Sequence, residues 1–156
     1  MENIRWEKMK IAGLKIRTSN KNAMENQTIA AAWNDFFEQE IFLQIEQRLD
    51  QNIYWVYANF DEWFSSDSLN KEYDLFIGCK VSDDFQAFDN IEILEIPEQN
   101  YQVFTAKWKL PDAVIQQWEK IWKSGVSKNF SYDIEVYGDK SQLWDQSEVD
   151  ILIGVN

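Results

Sequence analysis

Histidine is missing altogether from this 156-residue chain, and cysteine occurs once, as Cys79. Without imidazole there is no Ser-His or Cys-His nucleophile, no histidine acid or base, and little scope for a transition-metal site. A lone thiol excludes a disulfide framework. It fits a reducing, cytoplasmic setting, as does the lack of a basic-then-apolar leader segment. No apolar run is long enough to cross a bilayer, so no membrane partner is expected. Basic residues are scarce: 15 Lys and Arg stand against 27 Asp and Glu, for a formal charge of −12. Such a field repels phosphate backbones, which argues against direct nucleic-acid binding, and it concentrates cations near the surface. The chain is long enough to bury roughly two-thirds of its unfolded surface without disulfides or metal, and no cofactor is expected.

What the chain has in abundance is aromatic side chains, 15% of residues with eight tryptophans. They must fill a core or line a cavity, and tryptophan suits a rigid, flat recognition surface. The stretch Tyr132-Asp133-Ile134-Glu135-Val136-Tyr137-Gly138 reads as a strand with Tyr132, Ile134 and Val136 on one face. Asp133, Glu135 and Tyr137 share the other. Taken alone, that second face could simply meet water.

An earlier stretch repeats the layout. Val56-Tyr57-Ala58 lies on Val136-Tyr137-Gly138, which sets Trp55 where Glu135 stands. The following strands also match, Asp74-Leu75-Phe76-Ile77-Gly78 with Asp150-Ile151-Leu152-Ile153-Gly154. Each is preceded by a helix with an aromatic pair four apart, Trp33 with Phe37 and Trp118 with Trp122. One order written twice argues for a duplicated unit.

Along the chain, Lys8 to Thr18 reads as a strand, and Ser19, Asn20 and Asn22 offer N-cap oxygens for a helix from about Ala23 to Glu40. Ile41 to Gln51 either extends that helix or forms a separate turn. Ile53 to Phe60 and Tyr73 to Val81 are strands around a polar hairpin loop, Asp61 to Glu72. Ser82 to Asn90 is the crossover between units. Ile91 to Ile96 and Tyr101 to Lys109 flank the turn Pro97-Glu98-Gln99-Asn100. Pro111 and Gly125 bracket a helix to Ser124 whose stripe is Val114, Ile115, Trp118, Ile121 and Trp122. Phe130 to Gly138 and Val149 to Val155 close the chain as strands around the loop Asp139 to Glu148. The expected fold is α+β, a single domain over 1–156 made of two β-α-β-β units, about 4–82 and about 91–156. Each unit makes an antiparallel sheet with a helix on one face, and a pseudo-twofold arrangement sets a cleft between the halves.

The order of these elements, with Trp33, Ile53-Tyr54-Trp55-Val56-Tyr57, Tyr73 to Val81, Ile96-Pro97, Tyr101-Gln102-Val103-Phe104, Trp118, Ile121-Trp122 and Ile134-Glu135-Val136-Tyr137, resembles the effector-binding domains of AraC-type and MerR-type regulators, the gyrase-inhibitor-like superfamily. Within it the sequence is most similar to the stand-alone, integron-associated effector-binding family. Pro97-Glu98-Gln99-Asn100 departs from the usual turn of that family, so a different cleft edge is expected. The resemblance implies a cleft that binds small hydrophobic, cationic and aromatic compounds, with the glutamate at Glu135 facing the ligand charge. On this reading Glu135 takes the charge and Tyr137, Tyr57 and Trp55 form the wall. Trp33, Phe104 and Trp108 join them where helix and strand register turn them toward the cleft. Phe37, Trp118 and Trp122 are assigned to core packing, and Cys79 to a small buried strand position. The implied role is a stand-alone effector-binding or drug-sequestering protein, monomer or weak dimer, with a separate transcription regulator as a candidate partner. Two alternatives stay open: a hydrolase of a reactive small molecule in which Asp133 and Glu135 share acid and base roles, and a docking module for gyrase or a regulator.

Overall fold

A computed structural model describes residues 2–65, 69–143 and 146–156, so parts of both long loops lie outside the described residues. Eight strands form one antiparallel sheet: β1 Glu2–Trp6, β2 Met9–Ser19, β3 Ile53–Ala58, β4 Glu72–Val81, β5 Glu92–Ile96, β6 Gln99–Lys107, β7 Lys128–Tyr137 and β8 Glu148–Val155. Their order across the sheet is β1-β6-β8-β7-β3-β4-β2-β5. The expectation of one sheet per unit is therefore corrected, because β3 pairs with β7 and fuses the two halves. In that pairing Trp55 lies opposite Glu135 and Tyr57 opposite Asp133. The edge strand β1, paired with β6, had no expectation at all.

One face of the sheet carries the helices. Ala12, Trp55, Leu75, Ile77 and Cys79 pack beneath Ala32 and Phe36 of α2 (Thr28–Glu38) and Ile41 of α3 (Ile41–Gln44). Phe104, Ala106, Val149, Ile151 and Ile153 pack beneath Val114 and Ile121 of α4 (Asp112–Lys123). The opposite face buries Ile11, Tyr54, Val56, Phe76, Leu94, Ile96, Tyr101, Ile134 and Leu152, with Ile4 and Trp6 from β1. All eight strands contribute to that cluster and, among the described residues, no helix does. Burying it requires the sheet to curl over its own apolar side.

The expected helix from Ala23 to Glu40 is two helices. Ser19 caps the first, α1 (Asn20–Glu25), through the Asn22 N–H at 3.1 Å, as the sequence suggests. Asn26 then folds back onto Asn22 and Gln27 takes a left-handed φ of 53°, which ends the helix. Asn is a weak helix former whose side chain competes for backbone partners. The second, α2, restarts at Thr28, whose hydroxyl lies 2.6 Å from that of Thr18 at the end of β2. The stretch left open resolves as a separate short helix, α3, entered through Glu40 at φ 53°.

At the Gly13–Gly78 pair β2 and β4 come unusually close: a Cβ on Gly78 would sit 2.2 Å from the Ala12 carbonyl oxygen, and one on Gly13 2.0 Å from that of Ile77. Another close glycine, Gly154, serves a bulge in β7. Lys128 lies opposite Val155 but Asp133 opposite Ile153, so β7 carries extra residues between them. Asn129 closes the arch by accepting from Ser131 N at 3.0 Å and Ser131 Oγ at 2.6 Å, and Phe130 turns through φ 55°. A Cβ on Gly154 would stand 2.6 Å from the Tyr132 carbonyl oxygen within this arch.

Candidate functional site

The strand alternation sets Asp133, Glu135 and Tyr137 on the helix-covered face of β7, astride the β3–β7 seam. Both carboxylates are 1% exposed. Glu135 is held by three neutral donors: Tyr137 Oη gives to Oε1 at 2.6 Å, Tyr57 Oη to Oε2 at 2.8 Å, and Trp118 Nε1 to Oε2 at 2.7 Å. Asp133 is held differently. Its Oδ2 lies 2.7 Å from Lys128 Nζ, and its Oδ1 accepts from the Gly154 N–H at 3.1 Å.

Rings enclose these groups. Trp33 lies 4.9 Å from Trp55 and 5.7 Å from Tyr137 between centroids, and Trp55 lies 5.5 Å from Tyr137. Tyr57 meets Trp118 edge-on at 5.7 Å and Tyr73 at 5.6 Å. Such contacts add about 0.5 to 1.5 kcal/mol each beyond area burial. The Trp55 Nε1 is buried and makes no hydrogen bond among the described residues. Trp55 is buried, whereas Trp33, Tyr57, Trp118 and Tyr137 are half-buried; surface depressions of about 420 and 490 Å³ lie elsewhere, beside Ser124–Ser127 and beside Gly138 and Lys140.

Burial is the largest influence on Glu135, Asp133, Tyr57 and Tyr137. It raises the Glu135 carboxyl above its ordinary value, partly offset by the Tyr137, Trp118 and Tyr57 hydrogen bonds. Asp133 is also raised by burial, against the pull of Lys128 and the Gly154 N–H. The Tyr57 and Tyr137 hydroxyls are pushed well above their usual value by burial and then by the Glu135 charge. They stay protonated donors. Outside the cluster, burial lifts the Cys79 thiol to about 12, which leaves it inert as expected.

With this geometry in view, comparison with known proteins is informative. Residues 4–155 match the model of the Cass2 family, integron-associated effector binding protein. The chain belongs to this family. No curated protein sequence matches it. Among solved structures, it is similar to an integron cassette protein from the mobile metagenome of Vibrio cholerae, with TM-score 0.75 and 20% identity over 99% of this chain and 95% of that one. It is similar to SAV2435 bound to tetraphenylphosphonium, with TM-score 0.78 and 14% identity over 99% and 93%. A protein of Staphylococcus aureus MU50 gives TM-score 0.74 and 15% identity over 99% and 97%. At these identities the structures establish a shared fold.

In this integron-associated effector binding protein, five of the sequence-selected residues converge: Glu135, Tyr137, Tyr57, Trp55 and Trp33. Two do not. Phe104 is buried beneath α4, and Trp108 is 66% exposed just after β6, at φ 93°. The assignment of Trp118 to core packing is corrected only in part: its ring packs against the core beneath α4 as expected, and its indole N–H also binds Glu135. Phe37 and Trp122 are exposed at the edges of their helical stripes instead of under them. Phe60, Phe64, Tyr73, Phe130 and Lys128 were not singled out, because they lie on loops, at a strand start or inside the bulge.

Trp118→Phe tests the correction. Loss of one donor should lift the Glu135 pKa further in a carboxyl NMR titration and cost about 1 to 2 kcal/mol in urea unfolding. A ring that merely filled space would leave the titration unmoved.

Proposed function

We propose that this protein is a binding module for small, apolar, cationic aromatic compounds, with Glu135 as counter-charge and Trp33, Trp55, Tyr57, Trp118 and Tyr137 as walls. One observation carries the reading: of two buried carboxylates on one strand face, Asp133 has a lysine against it, whereas the partners of Glu135 among the described residues are all neutral. A buried carboxylate costs several kcal/mol to ionise without a counter-ion, and a bound cation supplies one. Each ring adds about 0.5 to 2 kcal/mol of cation-π attraction. Micromolar affinity, about −8 kcal/mol, is then within reach after association costs. Support comes also from the effector-binding family and from a same-fold structure, SAV2435, solved with an aromatic cation.

The pairing of Asp133 with Lys128 favours binding over acid–base catalysis by the two carboxylates, because one of them is already engaged. The role is a sensor working with a separate regulator or a sequestering protein. We also infer that the halves are a duplicated unit. The strand order reads the same from either end when β1 is matched with β5, β6 with β2, β8 with β4 and β7 with β3, and residues equivalent by sequence, Trp55 and Glu135, face each other across the seam.

The reading is tested by calorimetric titration with 1-methyl-4-phenylpyridinium and its neutral analogue 4-methylbiphenyl. The cation should bind at least about tenfold more tightly. A pH signature accompanies it. Because the Glu135 pKa is raised in the folded free protein, its contribution to stability is full below the unfolded carboxylate value and fades as pH rises through the folded value. A bound cation favours the ionised form. Binding should therefore release a proton within that window and tighten with rising pH, by up to about tenfold per unit. Calorimetry in two buffers of different ionisation enthalpy reads the proton directly; no proton release and a pH-flat affinity would remove Glu135 from the site.

A further inference from the structure

The Lys128 side chain is only 11% exposed, and its ammonium is surrounded as a bound cation would be. Asp133 Oδ2 lies 2.7 Å away, and the rings of Phe130, Phe60 and Trp118 stand with centroids at 5.0, 5.5 and 5.5 Å. All three fall within the roughly 6 Å reach of a cation-π contact. The cage is built on purpose-made backbone. An odd sequence separation would put Lys128 and Asp133 on opposite faces of a regular strand, and the β7 bulge, closed by Asn129 and admitted by Gly154, returns the lysine over the aspartate. Asp133 is fixed from behind by the Gly154 N–H. Phe64 and Tyr73 back the Phe60 ring at 5.1 and 6.0 Å.

This cage adjoins the Glu135 cluster through one shared wall, Trp118, whose N–H binds Glu135 while its ring faces Lys128. We propose that Asp133, Phe60, Phe130 and Trp118 form a second cation subsite, permanently held by the chain's own Lys128, and that this resident ammonium restricts the protein to singly charged ligands. The inference rests on the binding role proposed for Glu135. A dication spanning the two carboxylates would have to evict Lys128 or suffer its charge. A monocation needs only Glu135.

The test uses two rods of nearly one shape, 1-methyl-4-phenylpyridinium with one charge and 1,1′-dimethyl-4,4′-bipyridinium with two, the latter's nitrogens about 7 Å apart, the spacing of two residues on one strand face. Each is titrated calorimetrically into wild type, Lys128→Met and Asp133→Asn, and the readout is the ratio of the two dissociation constants. Wild type should favour the monocation. Lys128→Met should move the ratio toward the dication by about tenfold or more, since Asp133 then awaits a counter-charge. Asp133→Asn, which keeps an acceptor for the Gly154 N–H and so folds even where the lysine variant does not, should move it the other way by about threefold, because the freed ammonium now repels the second charge. A ratio unmoved in Asp133→Asn, or a wild type that already favours the dication, overturns the subsite. If wild type prefers neither cation to 4-methylbiphenyl, the Glu135 reading falls and this one with it; a kept preference with an unmoved ratio overturns the subsite alone.

Discussion

Glu135→Gln should lower affinity for an aromatic monocation by about 30-fold or more while leaving the protein at least as stable as wild type. The two effects separate because of how the carboxylate is held. Tyr57 and Trp118 both donate to Oε2, so a glutamine carbonyl placed there keeps both bonds. The amide nitrogen replaces Oε1 and donates to the Tyr137 oxygen instead of accepting from it. The Tyr57 hydroxyl, the Trp118 N–H and the Tyr137 oxygen all keep a partner, and the cost of burying a charge disappears. The ligand loses its counter-charge, a change typically worth about 2 kcal/mol or more when the pair is desolvated. Glu135→Ala would not be equivalent. It strands two hydroxyls and an indole N–H at about 1 to 3 kcal/mol each, so weaker binding there would report a disturbed fold. Urea unfolding and titration of the glutamine variant belong together: a stable variant that still prefers cation over neutral analogue would refute the assignment.

Gly78→Ala should destabilise the fold by more than about 4 kcal/mol, a large share of the 5 to 15 kcal/mol of a whole domain. The added methyl would meet the Ala12 carbonyl oxygen at 2.2 Å and its carbon at 2.7 Å, and both are backbone. No rotamer relieves such a clash. The strands must part, and β2 is the strand that joins β4 to β5. Gly125→Ala is the control, since it has nothing within 4 Å and only its φ of 76° to object; about 1 to 2 kcal/mol is expected. Urea midpoints of the two variants distinguish close approach from backbone conformation. Similar losses in both would mean that the strand contact is not what the glycine at 78 is for.

The alternation of Tyr132 to Tyr137 was sufficient to put Asp133 and Glu135 on one face, and the echo in Trp55 and Tyr57 identified the second wall, because period-two patterning survives in any regular strand. What escaped reading follows from departures from period. Lys128 was invisible as a partner of Asp133, since only the bulge restores the two to one side. Trp118 occupies the edge of its stripe, between buried Val114 and Ile121 and the solvent, and helical spacing cannot distinguish an edge ring that packs from one that donates. Its one signal was the indole N–H, a donor that needs a partner wherever it is buried. The β3–β7 pairing joins strands from opposite halves, and no local pattern encodes such a contact. It turned two expected sheets into one.

A carboxylate sealed under rings also governs how fast anything can reach it. On the binding role proposed for Glu135, a ligand reaches the carboxylate only from a form in which Trp118 on α4 has moved off it. The scarcity of that form divides the intrinsic affinity, with each 1.4 kcal/mol of opening cost weakening apparent binding about tenfold. Opening also severs the Trp118 bond to Glu135 and leaves the carboxylate in want of a partner. On that reading a cation repays the opening where a neutral ring cannot, and discrimination by charge would lie in the gate as well as in the seat.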